Sequence, residues 1–213
     1  MKRPILAFLI FIAMAVVIVL VPVRPAKAGS GATPSALSLA SVSLGDDTDD
    51  ATSELMARYC RKKGGEVDVR EPYFNTNDDN PANWLRLSGK RRFCKFTSPD
   101  GSRIHLWLNT MYTEAPSLAA LAYYAKEPLA TGCNGNPASC YCSQIGGSDL
   151  FGGINANGGG WVQMSDPVDT VLEACIFPDM STIDSWGLTY HSAGIVRGRN
   201  LKNVLRFADP YTK

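Results

Sequence analysis

Histidine is nearly missing from this sequence: it occurs at His105 and His191 and nowhere else in 213 residues. Neither falls in an H-E-x-x-H pair, and the chain has no G-x-S-x-G elbow, no P-loop and no dinucleotide-binding glycine fingerprint. "IGGSDLFGG", residues 145–153, resembles the elbow only superficially. A Ser–His–Asp set can be assembled on paper, but no local sequence frames it, so both histidines read as satisfied or exposed side chains. An excess of one charge is also missing, since 21 Lys and Arg face 20 Asp and Glu. Without a basic block, nucleic acid and an electrostatic membrane surface are excluded as partners.

One long apolar run is present, and it comes first. Lys2 and Arg3 precede an uncharged stretch from Ile5 to Val23, and Ala26-Lys27-Ala28 follows. This is the layout of a secretory signal peptide over residues 1–28; the alternative is an uncleaved anchor helix, because the run is long enough to span a bilayer. No Cys follows it at a lipobox position, which argues against a lipid anchor. Cleavage would leave 185 residues and, by removing Lys2, Arg3, Arg24 and Lys27, move the net charge from +1 to about −3. Residues 29–50 are rich in Gly, Ser, Ala and Asp and read as a flexible leader, with Asp46, Asp47, Asp49 and Asp50 as a solvated charge run.

The remainder repeats itself. Tyr59-Cys60, Gly64-Gly65, Trp84, Cys94-x-Phe96, Pro99-Asp100-x-Ser102, Ile104 and Trp107 are matched by Tyr141-Cys142, Gly146-Gly147, Trp161, Cys175-x-Phe177, Pro178-Asp179-x-Ser181, Ile183 and Trp186. That many rare residues at matched offsets indicate two tandem copies of one small module. Residues 51–113 form the first, 114–130 a linking helix of about three turns, and 131–213 the second with a C-terminal extension. In each copy a helix ends at a Gly pair; Leu55, Met56, Tyr59 and Cys60 line one helical face, and Asn136-Pro137 supplies an N-cap and first turn in copy two. "RRFCKF" and "RIHLWL" flank the turn "TSPDGS", and "EACIF" and "STIDSWGLTY" flank "PDM", so each module continues as a small antiparallel sheet. Trp84 and Trp161 are expected to begin strands, and Trp107 and Trp186 to end hairpins, as core anchors or exposed contact residues. The fold class is α+β, disulfide-stapled.

Six cysteines, all after residue 28, suit an oxidising compartment. The repeat makes Cys60 and Cys94 equivalent to Cys142 and Cys175, so the simplest pairing is Cys60–Cys94 and Cys142–Cys175, each stapling helix to sheet. A loop of that length stabilises by roughly 3.5–4 kcal/mol on the chain-entropy estimate. Cys133 and Cys140 have no counterparts in copy one and suggest a local third bridge, although six cysteines allow about 15 pairings. On a helix Cys140 and Cys142 point about 200° apart. The spacing fails zinc patterns as well, so no metal or cofactor is expected. In "NTNDDNPAN", residues 75–83, Asn80 stands where a calcium loop needs Gly and Arg86 where it needs the bidentate Glu, so a polar loop is expected.

These residues resemble a known family. Asn136-Pro137-Ala138-Ser139, Tyr141-Cys142, Gly146-Gly147, Cys175-x-Phe177-Pro178-Asp179, Ser181 and Trp186 are similar to the short exported bacterial domain labelled haemolysin and catalogued as domain of unknown function 333; the first copy matches from Tyr59 to Trp107. The family commonly carries a Cys two residues after the P-D-G-S tetrad, where Ile104 and Ile183 stand here, and another near the domain end, which both copies lack. Their joint absence implies that those two pair with each other in the family, and it agrees with the pairing above. The resemblance implies export and small size but no activity, and nothing in this sequence looks pore-forming.

The expectation is therefore an exported, periplasmic or secreted, non-catalytic binding protein of unknown protein or envelope ligand, without stable membrane insertion once the signal is removed. Contacts are expected at the long loops 70–83 and 148–160. A secreted proteinase inhibitor presenting "TSPDGS" or 70–83 is the alternative, followed by a hydrolase using His191.

Overall fold

The computed structural model describes residues 51–149 and 158–212, so the expectations for 1–28, for the leader with its Asp46–Asp50 cluster, and for most of the glycine-rich stretch 151–160 lie outside the described residues. Within them the fold is α+β: five α-helices over one antiparallel sheet. Helix α1 (Ala51–Lys62) carries Glu54 in its first turn and Arg61 and Lys62 in its last, each opposing the helix dipole. Its inward face is Ser53, Ala57 and Cys60; Leu55, expected on that face, is 44% exposed, because the disulfide at Cys60 fixes the rotation of the helix. Strand β1 (Glu66–Phe74) follows, then a 3₁₀ turn at Pro81–Asn83, β2 (Leu85–Arg86), β3 (Arg91–Thr97), β4 (Arg103–Trp107) and α2 (Leu108–Tyr112). The linking helix shortens to α3 (Leu118–Ala125), two turns capped by the Ser117 side chain, because Pro116 stands before the cap and Lys126 leaves the helix with φ 53°.

The chain continues as α4 (Pro137–Gln144), β5 (Gly159–Val162), β6 (Val171–Leu172), β7 (Ala174–Ile176), β8 (Thr182–Asp184) and α5 (Ser185–Ser192), and a 3₁₀ turn covers Leu201–Asn203. Asn136 caps α4 through bonds from the amides of Ala138 and Ser139, with Pro137 in the first turn; such a cap contributes about 1 kcal/mol. Two expectations are corrected. Residues 70–74 are not loop but the second half of β1, with Arg70 0% exposed. Trp186 does not end a hairpin: the Asp184 carboxylate accepts the Gly187 amide and turns the chain into α5 two residues before the tryptophan.

The strands run in the order β6-β5-β1-β3-β4-β8-β7, with β2 beside β1. Strands from residues 51–113 and 131–213 share this one sheet, through β5 on β1 and β8 on β4. The two end strands, β6 and β7, are consecutive in the chain with only Glu173 between them, so the sheet curls into a near-barrel. Alternation then gives it two faces. Cys94, Phe96, Ile104, Leu106, Cys175 and Ile183 point outward under the helices and join Ala57, Met111, Tyr123, Tyr141, Leu188 and Leu201 in the main apolar core. Each such side chain contributes about 1.5–3 kcal/mol on burial. Phe93, Trp161, Leu172, Ala174 and Ile176 point inward with Trp107 against them.

Three disulfides tie the helices down: Cys60–Cys94, Cys142–Cys175 and Cys133–Cys140. Gly64 and Gly146 end α1 and α4 with φ of 82° and 85°. The next residue is glycine for a different reason: a Cβ at Gly65 would lie 2.3 Å from Cys94 Sγ, and one at Gly147 would lie 2.3 Å from Cys175 Sγ. The hairpin turns correspond as well. Asp100 accepts the Ser102 amide and Asp179 the Ser181 amide, and the residue between is left-handed in both, Gly101 in one and Met180 in the other. Each turn also receives the chain that follows the other hairpin. The amides of Leu118 and Ala119, beyond α2, donate to Asp179 Oδ2 and Ser181 Oγ, while the amide of Gly198, beyond α5, donates to Ser102 Oγ.

Candidate functional site

Although the outer face of the sheet is apolar, the inner face carries charge. β1 directs Asp68 and Arg70 inward, β3 Lys95, β4 Arg103 and His105, and β8 Asp184; the loop between β5 and β6 adds Asp166 and Asp169. Arg70 donates from Nε to Asp68 Oδ2 at 2.6 Å and from Nη1 to the carbonyls of Trp161 at 3.1 Å and Asp169 at 2.6 Å, and its Nη2 lies 3.6 Å from Asp166 Oδ2. Asp166 is the hub. It accepts from Arg103 at 2.8 Å and Lys95 at 3.3 Å, and from the amides of Val168 and Asp169 at 3.1 Å each. Burial opposes its charge, but those donors hold its carboxyl far below the usual carboxylate range.

His105, 0% exposed, lies between two acids: Nε2 is 3.3 Å from Asp68 Oδ2 and Nδ1 is 3.6 Å from Asp184 Oδ2. Five carboxylates, Asp68, Asp166, Asp169, Asp184 and the exposed Glu66, face three permanent cations, Arg70, Lys95 and Arg103. Protonation of His105 adds a fourth positive charge and makes both ring nitrogens donors toward the two acids, with Arg70 Nη2, 3.4 Å from Nε2, opposing it. Burial pulls the imidazole pKa down, yet the Asp184 and Asp68 carboxylates beside it prevail and hold it above its ordinary value. Burial alone would likewise raise Asp68, but His105 and Arg70 hold it low.

Two members of this network, Asp169 and Asp184, line a pocket of about 260 Å³ with Asn77, Glu173, Trp186 and Arg197. Asp184 is 5% exposed; its Oδ1 is taken by the Gly187 amide, whereas Oδ2 has His105 Nδ1 as its ion-pair neighbour, at 3.6 Å. Asp169 has its Oδ2 on Arg103 at 3.2 Å and a quarter of its side chain (25%) open to solvent. Glu173, between β6 and β7, accepts from Asn136 Nδ2 at 2.7 Å. Burial pushes its carboxyl up, Asn136 opposes, and the charges of Asp149 and Asp184 push it further. Arg197 stacks its guanidinium 5.1 Å from the Tyr190 ring centroid and makes no ion pair among the described residues; Tyr190 in turn lies 6.0 Å from Trp186.

The residues singled out in the sequence are dispersed. Trp186 lines the pocket; Trp107 packs on the inner apolar cluster instead, where Arg91 lies 4.5 Å from its ring and 5.1 Å from that of Trp161. Pro99, Asp100, Pro178 and Asp179 belong to exposed hairpin turns, and the six cysteines and the Gly64-Gly65 and Gly146-Gly147 pairs to the helical side of the sheet. His191 is on that side too, stacked on Tyr123 with ring centroids 3.8 Å apart. The 75–83 loop satisfies its own acid: Asp78 accepts from the Asn80 amide and from Asn83 Nδ2. Among the described residues no group of three His, Cys, Asp or Glu is arranged to hold a metal, and no helix is long and apolar enough to cross a membrane.

Sequence reading missed Asp68, Arg70, Lys95, Arg103, Asp166, Asp169, Glu173, Asp184 and Arg197. One signal was available: His105 and Asp184 each precede the matched tryptophan, Trp107 or Trp186, by two residues, and they meet across the β4–β8 junction. No family model, curated protein or solved structure matches this chain.

Proposed function

We propose that this chain is an exported, non-catalytic binding protein, built on a tandem duplication of a disulfide-stapled module similar to the haemolysin-labelled domain, whose ligand enters the pocket beside Asp184. The observation that carries the binding reading is that pocket: its charged walls are anchored on a rigid buried network. Asp169 is fixed by Arg103 and Asp184 by the Gly187 amide at Oδ1, which is the support a preorganised binding site requires. His105, the imidazole nearest the pocket, is sealed between Asp68 and Asp184 and is out of reach of a substrate, which favours binding over acid–base catalysis. The duplication is supported by the two equivalent helix-to-strand disulfides, by the glycines against their sulfurs, and by the reciprocal docking of the two hairpin turns. Export is supported by three disulfides that leave no free thiol among the described residues.

The test is an NMR fragment screen on isotope-labelled, oxidised protein. Shifts that cluster at Asp169, Glu173, Asp184 and Trp186 are expected. Hits confined to other surfaces, or none at millimolar fragment, overturn the assignment of this pocket.

A further inference from the structure

The chemistry of the ligand follows from which charges the pocket leaves unmet. Part of its acidity is answered from within: Asp169 by Arg103, and Glu173 Oε1 by Asn136. Beside Glu173 Oε2, which is buried without a hydrogen-bond partner, two groups remain. One is Asp184 Oδ2, which lines the pocket on a side chain more than nine-tenths buried: it accepts no hydrogen bond within 3.5 Å and shares only the charge of His105, whose Nδ1 is 3.6 Å away. The other is the Arg197 guanidinium, which rests on an aromatic ring and makes no ion pair among the described residues. A lone cation would be repelled by Arg197, and a lone anion by the carboxylates. A neutral sugar would leave the buried carboxylate without a cation and the guanidinium without an anion.

Resting on the binding reading above, we propose that the pocket takes a small zwitterion, its ammonium on Asp184 and Asp169 and its carboxylate on Arg197, as a free amino acid would present them. The cavity of 260 Å³ suits a ligand of that class, and Trp186 with Leu172 gives a short side chain an apolar wall. Arginine matches a carboxylate with two parallel bonds, which fixes the orientation of the ligand.

Calorimetric titration with glycine, L-alanine and L-lysine, against methylammonium, acetate and glucose, tests this. The zwitterions should bind at least about tenfold more tightly than any of the three controls. Arg197→Gln, a change at a partly exposed position, should weaken zwitterion binding about 10- to 100-fold and leave methylammonium unaffected or improved. Asp184→Asn keeps an N-cap for α5 and should weaken zwitterion and methylammonium alike. Equal binding of acetate, methylammonium or glucose, no binding of any zwitterion, or indifference to Arg197→Gln overturns the proposal. Fragments that cluster in the pocket but carry no charge overturn it while leaving the binding reading in place; fragments that bind only elsewhere remove both.

Discussion

The two faces of the sheet bury one histidine each and treat its proton in opposite ways. On the inner face His105 is 0% exposed and flanked by Asp68 and Asp184; on the helical face His191 is 6% exposed, stacked flat on Tyr123, with neither ring nitrogen bonded. Burial opposes the charged form in both. Carboxylate partners reverse its effect at His105, while at His191 burial stands, the charges of Lys126 and Lys202 add to it, and the pKa falls to about 4. Burial is thus a poor guide to protonation; the partners inside the cavity decide it. The inner face is specified by charge pairing, and the outer face by apolar packing and sulfur.

The pH consequences have opposite signs. His105, raised in the fold, contributes stability that is complete below its unfolded value near 6.5 and is lost as pH climbs through its raised folded value. His191, depressed in the fold, contributes stability that is complete above about 6.5 and is lost as pH falls toward about 4.

The contrast is broken most forcefully at Arg70. Arg70→Met leaves Asp68 and Asp166 short of a buried cation and should cost about 3–5 kcal/mol in urea unfolding at neutral pH. His105→Leu should cost about 2–4 kcal/mol at mildly acidic pH, and the deficit should shrink as pH rises, because the wild-type protein then loses its own imidazolium. A deficit independent of pH would mean that His105 is neutral in the fold. His191→Phe keeps the ring stack and removes two unbonded nitrogens. It should change stability by less than about 0.5 kcal/mol at pH 8 and raise it by about 1–2 kcal/mol near pH 4.5, seen as a flatter acid limb in a series of melting curves.

The same division explains what could be read from the sequence. The cysteine pairs, the hairpin turns and the Asn136-Pro137 helix start follow from matched spacing and local chemistry, and the structure contains them. The inner face was hidden because its charges look like solvent-facing positions: Lys95, Arg103 and His105 alternate with Cys94, Phe96, Ile104 and Leu106 as they would on a half-exposed sheet. Only closure of the barrel turns that polar face inward, and closure depends on β4 meeting β8 and β1 meeting β5, pairings between distant segments that no local pattern announces. Glu71-Pro72 and the Asn/Asp cluster after it are loop-like, which hides the strand that carries Arg70. The helix at Trp186 was missed because Thr182–Asp184 runs straight into more strand-favouring residues and the stop is a single side-chain cap at Asp184. The pocket draws Asn77, Asp169, Glu173, Asp184 and Arg197 from separate connections, with no spacing to link them.

The crossed docking of the two hairpin turns also sets an order of events during synthesis. When the ribosome has released residue 113, the turn at Asp100 still lacks the Gly198 amide, β1 lacks β5 along Glu71–Phe74, and β4 lacks β8. The turn at Asp179 can be satisfied as soon as it emerges, because Leu118 and Ala119 are already waiting. The first-made half is therefore the last to be completed, and it stays open until nearly the whole chain is available. Cys142 likewise has no partner to meet until Cys175 follows it, so the second helix-to-strand disulfide closes only after residue 175 is made.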